Sequence, residues 1–498
     1  MDFIRNFPLF TIVLSLFSGV LCYMLRPRAA KIYTIVYECV LILLTGAVLY
    51  YVVKTGKPFT YVMGEFPAPW GNEIRAGILE ALMALTFLTV LICAVAAGHR
   101  FLAEDMDSEK QNLFYTIVNL MTAALMALIY TNDLFTGYVF LEILTLTSCG
   151  AIIVREIGRT TLAAVRYMIL NLLGSGMFLL GVVLLYDITG QLLMVPMRQT
   201  IERMVQDPGT LPVIGVAAGI LTIGLSIKSG LFPFHYWMPD TYGWSTPTAA
   251  ALLSSIVSKA YIFLLFKTYY RAIGIDVILQ LPIRNVLLVL GIGGMIIGSL
   301  QAIHTNNLNH MVAYSSAAQI GYIYMGIGLG GIAGYTAAMF HIMAHAITKS
   351  QLFVTTPRLA EVSGGTLKFK DIQGSGLKTK VAGVYFTVAA MSMIGIPIFA
   401  GFSSKLQFAL AAVECGSEKK TVMVMIALAV SSMLNALYFV MTLIRIFTPV
   451  ENNEKIKITH HHVNYHIPMI VLTAGNLLLG LSSGVVIDLI RRGIEMFE

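Results

Sequence analysis

The chain has 498 residues, 57% of them hydrophobic and only 12% charged, against about 25% charged in an average soluble domain, and its mean hydropathy is +0.78. That balance excludes a water-soluble enzyme and describes an integral membrane protein. The formal net charge of +7 is scattered through short loops, so it reads as topological and lipid-facing and implies no nucleic acid.

Apolar runs able to cross a hydrocarbon core of about 30 Å recur to the last residues, roughly fourteen of them. Residues 1–498 therefore read as one polytopic all-α membrane domain. Cys22, Cys39, Cys93, Cys149 and Cys415 form no CxxC pair and four lie in apolar runs, so neither a disulfide nor a zinc or iron–sulfur site is expected. The N-terminal run lacks a small-residue cleavage site and reads as a retained first span.

The first two spans, near Phe7 to Leu25 and Lys31 to Lys54, read as packing and anchoring helices. The connection from Thr55 to Glu73, with Pro67, Pro69 and Trp70, suits an interfacial loop or hairpin. Glu80 lies near the start of span three, where an acidic side chain usually snorkels to water. Two spans then pack around the turn at Asp133, and Glu142 follows nine residues later, about 13 Å along a helix. A carboxylate at that depth must be neutral, paired or facing a hydrated cavity.

Span six carries Gly174-Ser175-Gly176, small enough for close helix approach. After a polar loop from Gln191 to Pro212 comes the stretch around which the chain is organised. An apolar helix delivers Lys228, breaks at Pro233, crosses His235 and Asp240, and enters a second apolar helix holding Lys259. A lysine at a helix centre costs roughly 2.5–3.5 kcal/mol to insert, and broken helices at membrane depth occur where the backbone lines protein or water. Both features mark an ion path.

Further on, His341, His345 and Lys349 are spaced four apart and line one helix face. With no carboxylate at matching positions, a proton wire is preferred there to a metal. The basic segment from Arg358 to Lys380 reads as a cytoplasmic connection. Span twelve repeats the pattern of span seven: Pro397 interrupts it and Lys405 lies inside it. Two lysine-bearing, proline-interrupted helices about five spans apart suggest a duplicated unit, assigned to residues 111–271 and 284–447. The loop with Glu451, Glu454, Lys455, Lys457 and His460-His461-His462 reads as solvated, and the last span ends near Leu489, held by Arg491-Arg492.

Taken together, Asp133-Leu134 with Phe140-Leu141-Glu142, Lys228, Phe232-Pro233-Phe234-His235, Trp237, Pro239-Asp240, Thr246-Pro247-Thr248, Lys259, Ala313-Tyr314-Ser315-Ser316, the His341 to Lys349 face, and Gly395-Ile396-Pro397 with Gly401-Phe402 and Lys405 resemble the antiporter-like subunits shared by Mrp-type sodium/proton antiporters, complex I and membrane-bound hydrogenases. The Mrp D-type subunit is the most similar. The resemblance implies about 14 transmembrane helices with two inverted five-helix repeats, each with a broken helix. It pairs Glu142 with Lys228, makes Lys259 the central relay, and puts Lys405 at the far end. Asn307-Leu308-Asn309 and Ser255 depart from the family pattern, which bears on gating and water access.

The expected function is proton translocation, with sodium as a second candidate ion, along Glu142, Lys228, Lys259 and Lys405. His235, His341, His345, Lys349 and Asp133 serve as relay or gating groups, and Pro233 and Pro397 as helix breaks. No cofactor is expected, and redox chemistry would belong to partner membrane subunits. The location is a cell membrane, prokaryotic and multi-pass. With an effective dielectric constant of about 20, widening a lysine–carboxylate pair from about 4 to 8 Å loses roughly 2 kcal/mol. That is comparable to the ~2.3 kcal/mol needed to move a charge against 100 mV. The rival readings are a stand-alone carrier that binds an organic anion on its buried lysines, and a scaffold whose ion pairs only fix helix register.

Overall fold

The computed structural model describes residues 2–66, 71–207, 209–449 and 463–497. Pro67, Pro69 and Trp70, and the loop with Glu451, Glu454, Lys455, Lys457 and the three histidines 460–462, lie outside the described residues.

The chain starts with α1 (Phe7–Met24) and α2 (Pro27–Thr55). The next connection is a hairpin, in which β1 (Phe59–Val62) pairs antiparallel with β2 (Glu73–Ala76), Phe59 opposite Ala76. Then come α3 (Ile78–Asp105), α4 (Gln111–Tyr130), α5 (Leu134–Ile153) and α6 (Gly158–Thr189). The loop expected from Gln191 to Pro212 instead contains a helix, α7 (Met194–Met204). Met194, Met197 and Ile201 fall on one face and are buried there, which is enough to fold a short amphipathic helix against the protein.

Next, α8 (Thr210–Ser229) ends at Gly230, and a 3₁₀ turn leads into α9 (Met238–Trp244). The following span is α10 (Pro247–Leu252), a π-wound stretch at Leu253–Val257, α11 (Ser258–Lys267), a second π-wound stretch at Thr268–Gly274, and α12 (Ile275–Gln280). The second half holds α13 (Ile283–His304), α14 (Leu308–Leu329), α15 (Gly331–Ala360), the short α16 (Ser375–Lys378), α17 (Lys380–Ile394), α18 (Ala400–Glu414), α19 (Glu418–Phe447), α20 (Val463–Leu481) and α21 (Ser483–Glu495).

Among the described residues ten helical runs are long and apolar enough to cross a membrane, or eleven if the bent pair α20 and α21 is one span. At 22 and 30 residues, α14 and α15 also have spanning length, but they are more polar and bury those side chains inside the protein. Only 15 residues each, α17 and α18 are separated by the break at Gly395–Phe399.

The run through α10 and α11 is the centre of the molecule. Every residue from 245 to 274 is buried, so its apolar side chains face other helices all round. Lys259, Lys267 and Arg271 on this run are therefore surrounded by protein and not by lipid.

Two expectations are corrected here. Glu80 does not snorkel: it is fully buried, and its carboxylate accepts from Arg75 at 2.6 Å. Arg75, brought in by β2, supplies a nearer partner than water. The C-terminal helix does not run straight to Leu489 either. It bends by 80° between α20 and α21, and Asp488, Arg491, Arg492 and Glu495 form an exposed polar face on α21. Its other face lies on α3, where Gly493 meets Leu79.

Candidate functional site

At the C-terminal end of α8, Lys228 is fully buried. Its ammonium donates to Thr145 Oγ1 at 2.7 Å, Ser175 Oγ at 2.6 Å and the Asn171 carbonyl at 3.2 Å. The group is thus held by neutral oxygens from α5 and α6. Room for it comes from Gly174, where a Cβ would lie 2.9 Å from Lys228 Cγ and 2.8 Å from the Gly224 carbonyl. Glu142 precedes Thr145 by one helical turn, is half-buried, and has a carboxylate oxygen that is buried without a hydrogen-bond partner. The two side chains form no direct ion pair. Thr145 is the residue of α5 that Lys228 bonds, and its hydroxyl also lies 3.4 Å from Tyr261 OH. The Tyr261 ring in turn sits under the Lys228 ammonium at 5.2 Å, a cation–π contact.

Two residues before Tyr261, Lys259 occupies the middle of the molecule with no exposed surface. Its ammonium donates to the Ser254 carbonyl, in the π-wound stretch. Such stretches misalign the backbone ladder and are frequent at functional sites. Ser254 Oγ is 2.8 Å from Ser316 Oγ on α14. The hydroxyl of Ser316 donates to the Val312 carbonyl, which also accepts from Lys349 at 3.0 Å. Lys349 donates as well to Ser315 Oγ. A line of hydroxyls and carbonyls thus joins Lys259 on the central helix to Lys349 on α15.

One and two turns before Lys349, the rings of His345 and His341 lie 5.9 Å apart. His345 is buried with neither ring nitrogen bonded, and His341 uses one nitrogen on Ser404 Oγ at 2.7 Å. Ser404 is adjacent to Lys405, whose ammonium donates to the Ile394 carbonyl at 2.6 Å and lies 5.8 Å from the Tyr322 ring centroid. The Ile394 carbonyl is left without a helical partner by the break between α17 and α18. Gly395 makes that break: its φ is +95°, and a Cβ there would lie 2.9 Å from Lys405 Cδ.

The fold thus buries Lys228, Lys259, His345, His341 and Lys349 and half-buries Lys405 beside the second break, with Glu142 one turn from the threonine that Lys228 bonds. Two residues proposed from the sequence stand apart. Asp133 caps α5, accepting from the Thr136 amide at 2.5 Å. An aspartate just before a helix satisfies one of its free amides, and this occupies the carboxylate some two turns from Glu142. His235 bonds Gln301 of α13 at 2.8 Å and stacks on Tyr236, so the groups it bonds and stacks on are not the lysines. Pro233 lies in the break between α8 and α9, and Pro397 in that between α17 and α18.

Sequence reasoning missed Lys267. Fully buried, it donates to the carbonyls of Ile129 at 2.7 Å and Thr131, closing the C-terminal end of α4. It lies eight residues after Lys259 on the same apolar run, so the rule that singled out one lysine applies equally to the other. Arg271 and Arg75 flank the same corner, both over the Phe497 ring.

A family model described as "NADH:quinone oxidoreductase/Mrp antiporter, TM" matches residues 131–435. NADH-quinone oxidoreductase subunit N of Desulforudis audaxviator is 34% identical over 410 residues, 80% of this chain and 77% of that one. The D-type subunit of the Na(+)/H(+) antiporter of Alkalihalophilus pseudofirmus is 27% identical over 434 residues, covering 84% and 82%. Among solved structures, a chain of the Mrp complex from a Dietzia species superposes with a TM-score of 0.85 over 99% of this chain and 97% of that one, at 23% identity. A chain of an archaeal membrane-bound sulfane sulfur reductase gives 0.86 over 98% and 97%, also at 23%. These two establish likeness of fold.

Proposed function

From the premise that the chain belongs to the NADH:quinone oxidoreductase/Mrp antiporter transmembrane family, we propose that it is a proton-translocating, antiporter-like subunit of a multisubunit membrane complex. Relatives named as subunits of an oxidoreductase and of an antiporter support assembly with other membrane subunits. The observation that carries the reading is the buried line of amines and imidazoles. Lys228, Lys259 and Lys349 have no exposed surface and no carboxylate within ion-pair distance among the described residues. A static strut would pair each ammonium with an anion. Neutral hydroxyl and carbonyl partners instead tolerate both the amine and the ammonium.

In this reading, Glu142 tunes the charge on Lys228 through Thr145, and the proton moves past Tyr261 to Lys259. It continues by way of Ser254, Ser316 and the His345–His341 pair to Lys405. The ends of the line sit beside two helix breaks, α8 to α9 and α17 to α18, each combining a glycine, a proline and a nearby lysine, with the lysine before the break in the first and after it in the second. We read these as the two broken helices of inverted repeats over 111–271 and 284–447. Adding α14, α15 and the broken α17–α18 span to the eleven apolar spans gives a count of fourteen.

The test is ion flux by the assembled complex in vesicles carrying Lys228→Ala, Lys259→Ala or Lys405→Ala. Proton translocation is expected to fall by roughly a hundredfold or more in variants that still assemble. Wild-type flux in assembled variants would instead favour a structural scaffold. Binding of an organic anion by the purified single chain would favour a stand-alone carrier. Flux that follows a sodium gradient and not a proton gradient would identify sodium as the carried ion.

A further inference from the structure

Outside the lysine line, the interface of α1, α2 and α4 holds a second set of buried polar groups. Glu38, in the middle of α2, has no exposed surface. One carboxyl oxygen accepts from Thr122 Oγ1 at 2.7 Å, and the other is buried without any hydrogen-bond partner. No lysine, arginine or histidine among the described residues pairs with it. A lone carboxylate in an apolar interior is prohibitively costly, so such a group is held as the neutral acid.

Glu38 does not stand in isolation. On the side toward Lys31, Asn119 donates to Thr34 Oγ1 at 3.0 Å and to Cys22 Sγ at 3.1 Å, while Asn119 Oδ1 and Ser18 Oγ are buried and unpartnered. One turn further, Tyr115 OH lies 2.7 Å from His99 Nδ1. His99 and Lys31 border an open cleft of about 340 Å³ at the protein surface. Glu38 is seven residues from Lys31 on α2, and Thr122 is seven from Tyr115 on α4, so the file descends about 10 Å into the membrane on both helices. Buried polar atoms require partners, and this line of unpartnered ones suits a chain of water molecules.

The other titratable groups facing Glu38 are Tyr37, its neighbour on α2, and Cys22 of α1, while Tyr130, some two turns beyond Thr122 on α4, lies near Glu80. Arg75 pairs with Glu80 and so offers Glu38 no charge.

We propose that Glu38 is a second protonation site of this chain, off the lysine line, in exchange with the Lys31–His99 surface through Tyr115, Asn119 and Thr34. It goes beyond the translocation reading and does not depend on it. The readout is infrared spectroscopy of the complex, comparing wild type with Glu38→Gln, which keeps a neutral acceptor for Thr122. Wild type is expected to show the C=O stretch of a neutral carboxylic acid, shifting on transfer to heavy water, and Glu38→Gln is expected to lose that band. Tyr115→Phe is expected to keep the band and slow its shift by about tenfold, the rate equivalent of one hydrogen bond. Loss of no band in Glu38→Gln, a band that does not shift, or an unchanged exchange rate in Tyr115→Phe would each overturn the proposal. So would a band that disappears when sodium chloride replaces choline chloride, since the ligand would then be a metal ion.

Discussion

Gly395 has two constraints acting on it. Its φ of +95° is one that side-chain-bearing residues rarely adopt, and Lys405 packs where a Cβ would sit. Gly395→Ala is therefore expected to lower stability by about 1–3 kcal/mol and to displace Lys405 from the Ile394 carbonyl. Thermal unfolding in detergent measures the first effect and loss of flux the second. Thr145 offers a cleaner separation of chemistry from folding. Thr145→Val keeps the shape but removes the hydroxyl shared by Lys228 and Tyr261, so assembly should be unchanged while flux falls by about tenfold, the value of one hydrogen bond. Glu80 contrasts with both, because its role is structural. Glu80→Ala leaves Arg75 buried without its anion and is expected to cost roughly 3–5 kcal/mol, seen as reduced recovery of folded protein. In these predictions the buried Arg75, with a carboxylate partner, holds the fold, whereas Lys228, held by neutral oxygens, is the one expected to change charge.

At the scale of elements, interruptions matter more than regular helix. The breaks after α8 and α17 expose carbonyls at membrane depth, and the π-wound stretch before Lys259 brings the Ser254 carbonyl within its reach. None of these would exist in an uninterrupted α-helix, whose backbone groups bond one another. The α20–α21 bend does a different job: it lays an amphipathic helix across α3. Gly493 is the contact point, with a Cβ there only 2.9 Å from Leu79. Gly493→Leu should lift α21 from α3 without touching the lysine line. The expected signs are new protease cleavage near Ser482 and a lower unfolding temperature, with flux retained in the fraction that stays folded.

For the molecule as a whole, membership in the antiporter-like family sets the expectation that the 54.5 kDa chain co-purifies in mild detergent with other membrane subunits. Native gel mass with peptide identification checks it, and a chain that runs alone yet transports protons would refute it. Membrane residence, multiple spans and family membership were all legible in composition and motif, because a lysine or glutamate in an apolar run is costly enough to stand out without any coordinates. Glu142, Lys228, Lys259 and Lys405 were visible for that reason, His341, His345 and Lys349 through their four-residue spacing, and Pro233 and Pro397 because proline cannot continue the helical ladder. What needed the tertiary structure was partnership. Sequence spacing shows which residues share a helix face, but not that Lys228 bonds Thr145 and forms no ion pair with Glu142, that Asp133 is spent on a cap, or that Arg75 reaches Glu80 from a hairpin. Lys267 was equally conspicuous and yet unread, and Glu38 lay in a helix taken for an anchor. Insertion cost is a local property of the chain, whereas the partners that offset it come from helices distant in sequence, and only their packing decides which charge is fixed and which can move.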